Sequence, residues 1–173
     1  MQIVAVIPAR GGSKGIPRKN VLPIAGRPLI AWTIAQALEV PGLRVIVSTE
    51  DDEIAAISRS CGAEVIVRPA ELAEDTTPTE PVVKHVIATL TQRGERPDAV
   101  MLLQATSPVR LPGTLARAIA EFDSSGADSI VGVVAQSPFL WRHGSPSRAD
   151  YDYTRRPRRQ DLREEDLRYR ETG

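Results

Sequence analysis

The sequence predicts an α/β fold, a mostly parallel sheet covered by helices on both faces. Three observations carry that prediction. Short, continuously apolar runs recur along the 173 residues, each about the length of one strand. Strands buried on both faces lose the polar alternation of a half-exposed strand, so such runs point to parallel pairing. Between them lie segments whose apolar residues recur at helical spacing, and proline or glycine marks most of the joins.

Taken in order, residues 3–8 form the first strand, bounded by Pro8. A polar loop follows to residue 27. Leu29, Ile30, Ile34, Ala37 and Leu38 then fall on one helical face, with Pro28 in the first turn and Pro41-Gly42 as the stop. Residues 44–49 form the second strand. Thr49 is the expected cap of a helix through Ile54, Ala55 and Ile57, whose acidic first turn suits the helix dipole. Gly62 ends it, and residues 64–69 form the third strand. A polar stretch, 71–80, precedes a helix carrying Val82, Val83, Val86, Ile87 and Leu90. Residues 99–104 form the fourth strand, and a helix with Leu115, Ile119 and Phe122 leads to a fifth over 128–134. From Gln136 onward the pattern dissolves into proline, glycine and a cluster of arginines, and no element closes the chain. The expected division is a nucleotide-binding α/β domain over 1–135 and an irregular, arginine-rich segment over 136–173.

The loop after the first strand holds three glycines and the cations Arg10, Lys14, Arg18 and Lys19. Glycine lets backbone N–H groups turn inward, and clustered cations attract the several phosphates of one ligand. Neither a Walker loop nor a dinucleotide fingerprint can be read here. The competing reading is an ordinary strand-to-helix turn with solvated cations. Ligands of open parallel sheets sit at the carboxyl ends of the strands. The opening loop, Arg68 and the turn at Gln104 all fall at such ends.

Composition narrows the classes. One domain-sized core is expected, and no run approaches the ~18 apolar residues of a membrane span. The first residues enter a core strand without a charged leader, and the single Cys61 cannot staple the fold, so a cytoplasmic location is expected. Cys61 reads as a small buried side chain. With 22 basic and 22 acidic residues and 4% aromatics, nucleic acid and membrane surfaces are not expected partners. His85 and His143 have no metal-ligand spacing, and no pairing for covalent catalysis stands out.

Four blocks in order resemble one family. They are Ile7-Pro8-Ala9-Arg10-Gly11-Gly12-Ser13-Lys14-Gly15-Ile16-Pro17, continuing to Lys19-Asn20; Ser48-Thr49-Glu50-Asp51 with Gly62-Ala63; residues 68–76 from Arg68-Pro69; and Leu102-Leu103-Gln104-Ala105-Thr106-Ser107-Pro108-Val109-Arg110. The pattern is similar to that of the acylneuraminate cytidylyltransferases, with Ala105 where proline is usual. The resemblance implies a Rossmann-like fold of the nucleotide-diphospho-sugar transferase type. It also implies transfer of CMP from CTP to the anomeric hydroxyl of a nonulosonic (sialic-type) acid, with release of pyrophosphate, Mg²⁺ as cofactor and a homodimer.

The same resemblance implies roles. Arg10 and Lys19 would be catalytic and would grip the triphosphate together with Gly11, Ser13, Lys14 and Asn20. Arg68, Thr77 and Thr79 would hold cytosine and ribose. Gln104, Arg159 and Gln160 would meet the sugar acid, whose carboxylate a guanidinium can bind through two parallel hydrogen bonds. Thr172 stands where the family has asparagine. Relatives continue to a late Asp-x-Asp that helps hold the metal, so the resemblance leaves this chain without those carboxylates: either it is truncated, which is the expectation, or it binds Mg²⁺ through the nucleotide alone. Asp51 and Asp75 read as a helix start and a loop acid. The alternatives are a cytidylyltransferase for legionaminic, pseudaminic or 3-deoxy-octulosonic acid, and a non-catalytic nucleotide-binding fragment. The octulosonic case is the least favoured of these, because the fourth strand runs into Gln104 without an acid.

Overall fold

Ile3–Pro8 (β1) buries Val4 to Ile7 without a break, so both faces of this strand need cover. Successive side chains of a strand point to opposite faces. Ala5 and Ile7 accordingly pack with Ile30, Ile34 and Ala37 of α1 (Leu29–Leu38), and Val4 and Val6 pack with Val86 and Leu90 of α3 (Thr79–Gln92). Pro28 precedes α1, as the last residue of a short hairpin with Pro23–Ile24, rather than sitting inside its first turn.

The computed structural model describes residues 1–172, which divide into two units, Met1–Asp128 and Ser129–Thr172. In the first unit β1 lies between β2 (Arg44–Thr49) and β4 (Ala99–Leu102). The third strand, β3 (Glu64–Val67), lies on the far side of β2, giving the order β3-β2-β1-β4, all parallel. α2 (Asp52–Ser60) contributes Ile54 and α4 (Thr114–Ser125) contributes Leu115 to the cluster built on α1. The expected α/β architecture with helices on both faces is therefore present. β3 and β4 stop two residues earlier than the apolar pattern suggests, leaving Arg68 and Gln104 past the strand ends.

The cap of α2 differs from the expected one. Asp51, not Thr49, is the N-cap: its Oδ1 accepts the Ile54 N–H at 3.0 Å. Thr49 completes β2, and its hydroxyl accepts the Asp51 N–H at 3.1 Å. Both residue types cap helices. The strand runs to Thr49, so the cap falls two residues later.

The fifth strand is also corrected. Residues 128–132 form no strand, and Val133–Gln136 (β5) pairs antiparallel with Arg168–Glu171 (β6) in the second unit. Ile130, Val131, Val133 and Val134 are all exposed, so this apolar run is not a core strand. A run's hydrophobicity does not name its partner, and here the partner is the mixed-charge segment that was expected to stay irregular. The rest of that unit holds an aromatic cluster, with Phe139 and Tyr151 edge to face at 5.2 Å and Arg156 over the Phe139 ring at 4.4 Å. Among the described residues no helix is long and apolar enough to cross a membrane.

Asp51 yields a stability prediction. Its carboxyl is held below the usual carboxylate range by the Arg18 guanidinium and, in smaller part, by the Ile54 N–H, against an opposing effect of burial. A depressed native value means stabilisation that is present above the unfolded value near 4 and lost as pH falls through the native one. Asp51→Ala should cost about 1–2 kcal/mol at pH 7. In urea unfolding, the gap from the parent chain should hold above about pH 5 and close on further acidification.

Candidate functional site

The carboxyl ends of β1, β3 and β4 open onto one cleft of about 300 Å³ in the first unit. Its lining comes from separate stretches: Arg10, Ser13, Lys19 and Asn20 after β1; residues from Arg68, past β3, to Val82 in the first turn of α3; and Gln104 to Thr106 after β4. Parallel strands bring these loops to one edge of the sheet, although nearly 100 residues separate the first from the last.

The four cations of the opening loop have separate fates. Arg18 turns away from the cleft and pairs with Asp51 and Glu53 at the start of α2. Its backbone is left-handed, with φ of 57°. Gly11 packs against this pair so closely that a Cβ there would collide with the Asp51 carboxylate, which is a reason for glycine at that position. Arg10 and Lys14 converge on Asp75, at 2.7 Å and 2.6 Å from its two carboxylate oxygens. Hydrogen bonding from Lys14, aided by Arg10, holds the Asp75 carboxyl below its ordinary range. Lys19 lines the cleft and makes no ion pair among the described residues.

The remaining residues fill out the picture. Asn20 is buried, and its Nδ2 donates to the Arg10 carbonyl at 3.0 Å, so it braces the loop while lining the cleft. Thr77 donates its hydroxyl to the Glu71 carbonyl at 2.9 Å. Thr79 begins α3, which has no side-chain cap, so the positive end of that 14-residue helix meets the cleft. Gln104 is exposed at the cleft wall. Lys14 and Gly11 are not lining residues: Lys14 reaches only Asp75, and the Gly11 N–H is given to Glu50 at 2.8 Å. Arg159 and Gln160 lie on an exposed turn, Arg159–Asp161, of the second unit. There Arg158 is taken by Asp161, and Arg159 has no ion pair among the described residues.

Three features were missed by sequence reasoning. Glu50 joins two parts of the site through bonds spanning 39 and 18 residues, which no local pattern displays. The bare N-terminus of α3 could have been suspected from Pro78, which leaves that helix without a capping side chain. Asp51 and Asp75 are the helix start and loop acid expected, and the added finding is that they are also countercharges of the loop. His85 lies on α3 outside the cleft, its Nδ1 without a hydrogen-bond partner among the described residues. Among the described residues there is no group of three His, Cys, Asp or Glu side chains able to hold a metal ion.

Comparison with known proteins agrees with this geometry. The family described as "Cytidylyltransferase" matches residues 4–142. The chain is 34% identical over 165 residues to N-acylneuraminate cytidylyltransferase B of Danio rerio, covering 91% of this chain and 38% of that one. It is 41% identical over 135 residues to the CMP-N,N'-diacetyllegionaminic acid synthase of Legionella pneumophila, covering 77% and 58%. The chain thus spans well under two thirds of these curated relatives. Among solved structures, a CMP:2-keto-3-deoxy-manno-octonic acid synthetase complexed with CTP superimposes with TM-score 0.62 at 25% identity, over 77% of this chain and 51% of that one. A 4-diphosphocytidyl-2C-methyl-D-erythritol synthase shares the fold alone, with TM-score 0.56 at 18% identity. A parallel sheet of the nucleotide-diphospho-sugar transferase type, a cleft at its carboxyl edge and a sequence match over most of its length make this chain a member of the cytidylyltransferase family.

Proposed function

We propose that the chain carries the nucleotide site of an enzyme that transfers CMP from CTP to the anomeric hydroxyl of a nonulosonic acid. The observation that carries the reading is the set of cations at the cleft. Lys19 stands there with no countercharge, and Arg10 is held only by a surface-accessible carboxylate. A triphosphate supplies the missing negative charge. The relatives named for sialic and legionaminic acids support a keto-sugar acid as acceptor.

In this reading the acceptor oxygen attacks the α-phosphorus, the bond from that phosphorus to the β-phosphate oxygen breaks, and pyrophosphate leaves. The hydroxyl proton passes to solvent. Catalysis of such a step is chiefly positioning and charge neutralisation. Lys19 and Arg10 neutralise charge developing on the leaving pyrophosphate. Ser13, Lys14, Asn20 and the first turn of α3 bind the phosphates, and Arg68, Thr77 and Thr79 the nucleoside. Gln104 contacts the acceptor acid.

Mg²⁺ commonly takes most of its ligands from phosphates and water and only one or two from carboxylates. Of the cleft's two acids Asp75 is engaged by Arg10 and Lys14, which leaves Glu74, so the donor set suits an ion held chiefly by the nucleotide with which it arrives. Bound there, it would neutralise phosphate charge.

The test is incubation of the chain with CTP, Mg²⁺ and a panel of sialic, legionaminic, pseudaminic and 3-deoxy-octulosonic acids, with CMP-sugar read by mass spectrometry. Product with a nine-carbon acid supports the reading, and product with the octulosonic acid alone would reassign the acceptor. No product from any of them, with CTP still bound, would favour a non-catalytic nucleotide-binding chain. Lys19→Ala should lower turnover more than about tenfold, a barrier change above ~1.4 kcal/mol. Asp75→Asn should tighten binding of Mg²⁺-free inorganic triphosphate by roughly two- to fivefold in calorimetry, the scale expected for competing exposed ion pairs.

A further inference from the structure

Glu50 stands immediately after β2, the strand between β1 and β3. From there its two carboxylate oxygens serve both neighbours. Oε1 accepts the Gly11 N–H of the loop after β1 at 2.8 Å. Oε2 accepts from Arg68 Nε at 3.1 Å and Nη2 at 2.9 Å, just past β3. The Arg68 side chain is only 3% exposed, so Glu50 is the countercharge of a buried guanidinium. Its remaining nitrogen, Nη1, makes no hydrogen bond among the described residues, and Arg68 lines the cleft.

We propose that Glu50 is a positioning residue for the nucleotide, one that sets the phosphate loop and Arg68 at a fixed separation. Glu50 does not itself line the cleft. It acts by orienting two groups that flank it. Gly11 is the residue after Arg10, so the Glu50 bond holds the loop where Arg10 leaves the strand. The same carboxylate keeps Nε and Nη2 of Arg68 occupied and leaves Nη1 for a ligand. In the nucleotide reading the triphosphate lies on the loop that Gly11 anchors and the nucleoside lies on Arg68, whereas the acceptor acid is assigned to Gln104. The inference rests on the CTP reading above and adds the residue that aligns the two halves of that site.

Glu50→Gln is the sharpest variant, since an amide keeps one acceptor oxygen and turns an NH₂ toward a donor. Either Gly11 or Arg68 then loses its partner. The expected result is CTP binding at least tenfold weaker in calorimetry, with KM for CTP raised and KM for the acceptor within twofold of the parent. Coupling to Arg68 is read from a double-mutant cycle. Adding Glu50→Gln to Arg68→Ala should weaken CTP binding much less than Glu50→Gln does in the parent chain. Glu50→Asp keeps the charge but is one methylene too short to reach both partners. It should remain folded by thermal unfolding and bind CTP with intermediate affinity, which keeps the test decisive if the glutamine variant unfolds. Parent-like CTP binding by folded Glu50→Gln or Glu50→Asp would overturn the inference alone. So would equal losses of affinity for CTP and acceptor, which would mark a general structural role. A parent chain that binds no CTP would overturn the nucleotide reading and this inference with it.

Discussion

Four cations within ten residues repel one another, and the shape of the opening loop is decided by where their countercharge comes from. Arg18 draws it from the start of α2, where Asp51 serves at once as helix cap and ion-pair partner. Arg10 and Lys14 share Asp75, and Lys19 has no acidic partner among the described residues. The loop is thus pinned on one side by an internal pair and left under-neutralised on the side that faces the cleft. Exposed pairs such as Lys14 with Asp75 are weak, so a multiply charged anion can displace them. The Arg18–Asp51 contact is partly buried and shared with the cap of α2, which makes it harder to displace.

The sheet makes this division effective. Parallel strands deliver the loops after β1, β2, β3 and β4 to one edge, and strand order decides which loops are neighbours. β2 lies between β1 and β3, so a single side chain after β2 can reach both, as Glu50 does. At the opposite ends of the strands the charges are arranged differently. Arg44 and Glu64, at the starts of β2 and β3, pair at 2.6 Å, and Arg93 and Glu95 after α3 complete the network. Burial raises the Glu64 carboxyl, yet the hydrogen bonds from Arg44 and Arg93 outweigh it and leave the group below its ordinary range. These pairs neutralise one another and leave no cation for a ligand.

Much of the first unit was legible because its signals are local. Continuous apolar runs marked all four parallel strands, and helical spacing marked the four helices. The loop, Arg68 and Gln104 were expected at strand ends, and those ends do share a cleft. The second unit was harder. Residues 128–134 have the composition of a core strand, but composition carries no information about a partner as distant in sequence as Arg168–Glu171. Partner choice also explains why Glu50 escaped notice. Its hydrogen bonds are made across the sheet, and an acid after a strand looks like any other polar turn residue. The Asp51 cap was missed for a smaller reason: two good capping residues lie two positions apart, and only the end of β2 selects between them.

Three stretches distant in sequence line one cleft, and the nucleotide reading makes them one binding site. Hydrogen–deuterium exchange with and without CTP and Mg²⁺ tests it most directly, because exchange reports each stretch separately. Joint slowing of exchange over residues 10–20, 68–80 and 104–107, with the second unit's ribbon unchanged, is the expected result. Slowing confined to one stretch, or found only elsewhere, would contradict it.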